Sequence, residues 1–272
     1  MKLAQSLFFI TAATLLSGCI VVATPSHANY HNQEKLVLDA QSLALLDIDA
    51  GAGSLEITGS DNTDEISLVA DIYTDKRNVD NYQLELTSSG NSAFIISKVN
   101  SSGFWQGDSP HIDIKIIVPN HMMLRVNDGS GSTMIKQIDA AVTVKDGSGD
   151  LTLKNINGDL DINDGSGGLY ISNVVGKIEI VDGSGEIELY DVDGSIDIDD
   201  GSGSMIVKGI SGDVNIDDGS GELTVNEVAG HVTINDGSGG INVEQVGGLK
   251  IIESGSGGLR VKKVKGGFEI GE

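Results

Sequence analysis

The stretch "DGSGDLTLKNINGDLDIN", Asp146–Asn163, decides the reading of this chain. It splits into two similar nines, "DGSGDLTLK" and "NINGDLDIN", each with Gly in fourth place and apolar residues in sixth and eighth. The alternation is strand-like: Leu151 and Leu153 share one face, with Asp150, Thr152 and Lys154 on the other. Leu160 and Ile162 make the pair of the second strand, and Ile156 turns inward at the corner between them. The opening tetrapeptide recurs every 18 residues, at Asp128, Asp146, Asp164, Asp182, Asp200, Asp218 and Asp236, and weakens to "SGSG" at Ser254. The five apolar places recur with it, as Leu169, Ile171, Val174, Ile178 and Ile180 in the next unit.

Two strands of about five residues cannot bury two inward faces alone. Stacking equivalent strands in parallel, about 4.8 Å apart, makes one continuous aliphatic core. The expected fold is all-β: a parallel β-solenoid (β-helix) with two short strands per 18-residue turn. Burying aliphatic side chains at about 1.5–3 kcal/mol each offsets much of the ordering entropy. The turn glycines are Gly129 and Gly131, Gly147 and Gly149, Gly165 and Gly167, Gly183 and Gly185, Gly201 and Gly203, Gly219 and Gly221, Gly237 and Gly239. They allow positive φ and let corners stack without Cβ clashes. Gly158, Gly176, Gly194, Gly212, Gly230, Gly248 and Gly266 form a second corner column, with Ala140 in the first unit. One unit breaks the pattern: in "GGLKIIE", Gly247–Glu253, an inward place falls on Lys250. A buried unpaired Lys costs several kcal/mol, so a local shift of the strand is expected.

The organisation read from the chain is a signal peptide over 1–18, a lipidated cysteine and tether over 19–35, irregular N-terminal solenoid turns acting as a cap over 36–127, and the regular solenoid over 128–272. Lys2 and the apolar run Leu7–Leu16 lead into "LSGC", Leu16–Cys19, which resembles the lipoprotein box. Cys19 is the sole cysteine, which suits an anchor and excludes an intramolecular disulfide. Ordinary cleavage after "SHA", Ser26–Ala28, is the competing reading and gives a periplasmic or secreted product. Ile20 after the cysteine suits outer-membrane sorting, by resemblance to known lipoproteins. In the N-terminal half, "DAGAGSLEI", Asp49–Ile57, is a degenerate copy of "NDGSGSTMI", Asn127–Ile135. Segments near Arg77 and Trp105 read as excursions. Arg260, Lys262, Lys263 and Lys265 form a dense basic cluster, read as a charged edge that discourages end-to-end pairing.

A formal net charge of −23 argues against nucleic acid as a partner and equally against charge-driven docking on anionic lipid. The remaining membrane partner is the bilayer reached through the anchor. The acidic repeat invites a search for metal. Aligned on the calcium-binding nonapeptide G-G-x-G-x-D-x-U-x, "DGSGDLTLK" has Leu151 where that motif needs Asp. "DIDDGSG" from Asp197 lacks EF-hand spacing. A different cation arrangement stays open: the ladder Asp128, Asp146, Asp164, Asp182, Asp200, Asp218 and Asp236, its carboxylates stacked between turns. Calcium is the one cofactor left open in this way. The alternative is that each Asp caps the amides of its own G-S-G turn, as in an Asx-turn. No P-loop Lys-Ser/Thr follows the glycine loops, and their acidic neighbours repel phosphate. There is no G-x-S-x-G or H-E-x-x-H, and His27, His31, His111, His121 and His231 are scattered, so no catalytic residue is assigned.

From "GAGSLEITGSD" through "IDIKIIVPNHMMLRVNDGSG" to the repeats, the layout resembles the bacterial putative-adhesin family of β-strand-repeat envelope proteins, over roughly residues 36–272. The resemblance implies a β-solenoid and an envelope location, and brings no catalytic residues. The function expected is a non-enzymatic envelope lipoprotein, a rigid acidic rod for surface interaction, adhesion or scaffolding. A divalent-cation-binding surface module and, with less support, a carbohydrate-active solenoid are the alternatives.

Overall fold

A computed structural model describes residues 28–75, 79–99 and 109–271. The signal segment, Cys19, Arg77 and Trp105 lie outside these residues.

The repeats stack as a parallel β-solenoid of about eight turns. One face carries β8 (Met123–Ser130), β10 (Val142–Asp146), β12 (Leu160–Asp164), β14 (Ile178–Asp182), β16 (Ile196–Asp200) and β18 (Val214–Asp218). The opposite face carries β9 (Thr133–Ile138), β11 (Leu151–Asn157), β13 (Gly167–Val175), β15 (Gly185–Asp193) and β17 (Gly203–Ile210). β19 (Gly221–Asp236) and β20 (Gly239–Ser254) each run through both faces, and β21 (Leu259–Val264) and β22 (Phe268–Ile270) make the last turn. Every pairing in this region is parallel, with partners 18 residues apart over most of it, as in Leu160↔Ile178 and Leu151↔Leu169. The inward aliphatics are sealed: Leu151, Leu153, Ile156, Leu160 and Ile162 are at most 2% exposed.

Near the end of each second-face strand stands a device that the alternation did not reveal. Asn155 and its counterparts Gln137, Asn173, Asp191, Glu227, Gln245 and Lys263 are left-handed, with φ between 54 and 64°. One left-handed residue after the outward Lys154 swings the chain so that Ile156 also points inward. Asn and Asp tolerate this conformation; Gln, Glu and Lys hold it against a steric penalty. In the glycine corners no first glycine carries positive φ, and the second does in six of the seven pairs, all but Gly221, with Gly149 at 136° for example. The first is required for space instead: a Cβ on Gly147 would stand 2.5 Å from the Gly129 carbonyl oxygen.

At "GGLKIIE" the strand shifts locally, as expected. His231 pairs with Gly248 and Val232 with Leu249, one residue short of the period. The lost residue is restored at an outward bulge at Ile252, so that Asn235 again pairs with Glu253. Leu249 and Ile251 are thereby buried and Lys250 is exposed. His231 is exposed, as expected.

The N-terminal region differs from a run of irregular turns. β2 (Leu45–Ala52) and β3 (Leu55–Ser60) form one true solenoid turn, stacked in parallel on β8 and β9. This is the degenerate copy at Asp49–Ile57. Between that turn and the repeats the chain makes antiparallel pairs. β4 (Glu65–Thr74) lies between β1 (Tyr30–Asp39) and β7 (His111–Pro119), and β5 (Tyr82–Ser89) pairs with β6 (Ser92–Val99). β7 and β6 then rejoin the solenoid by parallel pairing with β3 and β2. The physical reason lies in the connections. Short links such as the Ser89–Ser92 turn reverse the strand, whereas a solenoid turn needs two corners of like hand. The antiparallel strands cover the first turn and leave Leu36, Leu38, Leu84 and Leu86 packed against the core.

Candidate functional site

The aspartates of the repeat stand last in β10, β12, β14, β16, β18 and β19, and third from last in β8. Continuing the alternation Leu160 in, Asp161 out, Ile162 in, Asn163 out places Asp164 inside. Asp128, Asp146, Asp164, Asp182, Asp200, Asp218 and Asp236 are all 1–3% exposed. They are direct register partners from turn to turn. The file is bounded by Ala50 at one end and Ser254 at the other. The seven carboxylates therefore form a single buried column spaced by the strand separation, about 4.8 Å.

The hydrogen bonds of this column are sparse. Asp182, Asp200 and Asp218 each accept from the backbone N–H two residues on, at 3.2, 3.1 and 2.9 Å, which is the Asx-turn. Asp128 accepts from Thr133 Oγ1 at 2.9 Å. Across the same corner, five residues on, the copies have Leu151, Leu169, Ile187, Met205, Leu223 and Ile241, which donate nothing. Both carboxyl oxygens of Asp146, Asp164 and Asp236, and Oδ2 of Asp182, Asp200 and Asp218, have no hydrogen-bond partner. Burial pushes all seven carboxyls above the usual aspartate range. For Asp146, Asp164, Asp200 and Asp218, burial first and the neighbouring carboxylates second take the value to about 6. Nearby turn amides pull the other way. None of the ion pairs among the described residues reaches the column. Among the described residues no three His, Cys, Asp or Glu side chains gather around one point as a metal centre does.

The outward side of the first face is a second acidic feature. Asp161, Glu179 and Asp197 form one row, Asp199 and Asp217 the next. Asn215 Nδ2 donates to Asp197 at 2.8 Å, and Asn235 Nδ2 to Asp217 at 3.1 Å, so an amide follows the last carboxylate of each run. Lys177 lies 3.0 Å from Asp197 and also bonds Glu179, which holds its own ammonium well above the usual lysine range. These rows line a shallow hollow of about 530 Å³ that also exposes Val181 and Ile252. A larger hollow of about 860 Å³ opens where the N-terminal strands meet the repeats, lined by Glu56, Lys115, Asn120, Gln137 and Asp139 among others.

Two of the scattered histidines are brought together. His31, Tyr73 and His111 are cross-strand partners on β1, β4 and β7 and stack with ring centroids 4.7 and 4.6 Å apart. His31 Nε2 lies 2.9 Å from Asp71, whose carboxyl is held low by that contact and by Gln33. Only the antiparallel register aligns these rings, and no repeat in the sequence signals it.

No family model matches the chain, and no curated protein matches it. Among solved structures it is similar to a putative cell adhesion protein from Clostridium sporogenes, at 12% identity over 86% of this chain and 99% of that one, with a TM-score of 0.40. It is also similar to a putative adhesin from Bacteroides fragilis, at 16% identity over 88% and 97% of the two chains, with a TM-score of 0.28. A third is a putative lipid binding protein from Parabacteroides distasonis, at 16% identity over 89% and 97%, with a TM-score of 0.34. These names belong to those proteins; the sites described above rest on this chain's own residues.

Proposed function

We propose that the chain is a non-enzymatic envelope protein, held at the outer membrane through a lipid on Cys19, that serves as a rigid acidic rod for surface interaction. The observation that carries this reading is the in-register outward face, where Asp161, Glu179, Asp197, Asp199 and Asp217 stand in straight rows on an unbroken stack of turns. Such a face presents a fixed, repeated charge to a large partner. A parallel sheet closed on a continuous aliphatic core has little freedom to bend. The anchor rests on the "LSGC" motif at Leu16–Cys19.

A photo-crosslinking residue at Val181, in the middle of the acidic face and half exposed, tests the reading in living cells. The expected result is a discrete crosslinked envelope species that disappears when Asp197, Asp199 and Asp217 are changed to Asn. A crosslinking pattern unchanged by that triple substitution rules out the acidic face as the contact surface.

A further inference from the structure

A column of seven carboxylates sealed in an aliphatic rod poses a problem of neutralisation. Two ionised carboxylates at about 4.8 Å repel each other, and far more strongly inside a protein than in water. The charged groups nearest the column add to this. Asp199 bears on Asp200, Asp217 on Asp218, and Glu253 on Asp236, all of the same sign. Across each corner stands an aliphatic side chain, except for Thr133 beside Asp128. The basic side chains on the aspartate-bearing strands point outward: Arg125 pairs with Asp47, and Lys145 and Lys250 are exposed. No basic group enters, and at least one oxygen of every aspartate from Asp146 to Asp236 is left without a donor. A buried carboxylate in this position neutralises itself by taking up a proton, which also turns one acceptor oxygen into a donor.

We propose that the aspartate file is an internal proton column: the folded rod holds protons between its turns that the unfolded chain releases, so that mild acid tightens the rod and neutral pH loosens it. A protonated carboxyl can donate to the free oxygen of the next turn, linking neighbours that otherwise repel. The file behaves as one coupled unit, and its members have no separate titrations. This proposal does not depend on the envelope reading, since it concerns the interior alone.

The direction follows from linkage. Unfolded aspartate titrates near 3.8, whereas Asp146, Asp164, Asp200 and Asp218 sit at about 6 in the fold. Below the unfolded value both states are protonated and the burial of the file is least costly. Between about pH 4 and 6 the unfolded chain loses protons that the rod keeps, so stability falls as pH rises. Two units correspond to about a hundredfold in the folding equilibrium constant for one aspartate considered alone.

The test uses the full chain. Urea unfolding is followed at pH 4.5, 6 and 7.5 for the wild type, for Asp164→Asn and for Asp161→Asn, the exposed neighbour on the same strand. The expected result is a wild-type rod that is most stable at pH 4.5. The fall to pH 7.5 should be smaller in Asp164→Asn by a factor of about 30, since unfolded aspartate is already largely ionised at pH 4.5, and nearly unchanged in Asp161→Asn. Infrared spectra of the wild type should show a protonated carboxyl band at pH 5.5 that is diminished in Asp164→Asn. This second readout stands if the variant unfolds irreversibly. Equal pH slopes in all three proteins, or a wild type without that band, overturn the proposal. So does calcium at millimolar concentration that raises wild-type stability at pH 7.5, is reversed by a chelator and is lost in Asp164→Asn, because the column then holds metal.

Discussion

Substituting Gly149 by Ala attacks the stack where its geometry is tightest. Gly149 has φ of 136°, and a Cβ added there would stand 1.6 Å from the carbonyl oxygen of Gly131 and 2.6 Å from its carbon. Both neighbours are backbone atoms of the preceding turn, so no side chain can swing aside. Relief requires that the two turns part by more than an ångström at this corner. That breaks the bonds that join these two turns at the corner, from Gly131 N–H to the Ser148 carbonyl, 3.1 Å, and from Gly147 N–H to the Asp128 carbonyl, 3.0 Å. Two backbone hydrogen bonds are worth about 1 kcal/mol each. Holding a non-glycine residue at this φ adds about 1–3 kcal/mol. The expected loss is about 3–5 kcal/mol in urea unfolding, with a lower Tm. Gly168→Ala is the control, since its Cβ would meet only the flexible Asp150 carboxylate, at 3.2 Å. That substitution should change stability by less than about 1 kcal/mol. If Gly149→Ala proves as stable as Gly168→Ala, the corners are not stacked as described and the close-approach argument fails.

Four further substitutions probe other parts. Leu249→Ala should cost about 2–5 kcal/mol and Lys250→Ala less than about 0.5 kcal/mol in thermal unfolding; the reverse order would mean that the one-residue shift at Gly248 does not occur. Thr133→Val leaves Asp128 Oδ2 without its donor and should cost about 1–3 kcal/mol at pH 7. The cost should shrink at pH 4, because protonation removes the need for that donor; a loss independent of pH would assign the effect to packing. Cys19→Ser should move the protein from the membrane to the soluble fraction and abolish lipid labelling, and membrane association that persists without label would remove the anchor.

The sequence makes the solenoid legible because one physical pattern repeats. Leu151, Leu153, Ile156, Leu160 and Ile162 occupy inward places, and each copy confirms the same assignment. The compensated shift at "GGLKIIE" was legible for a related reason: only a slipped strand spares Lys250 from burial. What stayed hidden depends on contacts between parts that share no repeat. The His31–Tyr73–His111 stack requires the antiparallel order of β1, β4 and β7, and hydrophobic alternation carries no information about which strand lies beside which. The left-handed corner at Gln137, Glu227 and Lys263 is invisible because those residue types do not advertise positive φ, as Asn155 and Asn173 do.

The aspartate column is a different case, since its placement followed from the pattern already in use. One more step of the alternation Leu160, Ile162 points Asp164 inward. Residue chemistry argues the opposite, because an aspartate is seldom buried without a partner. Here the two signals conflict, and the backbone decides. Turning the side chain outward would require breaking the strand one residue before the glycine corner, in every turn. In the first turn the conflict is eased by Thr133, in Asp182, Asp200 and Asp218 by one amide, and in Asp146 and Asp164 by no hydrogen bond at all. A conflict kept in seven successive turns, with its relief unevenly supplied, gives the rod a stability that depends on what neutralises its interior. That dependence is a property of the repeat, to which Asp199 and Asp217 of the outward face add a smaller repulsion.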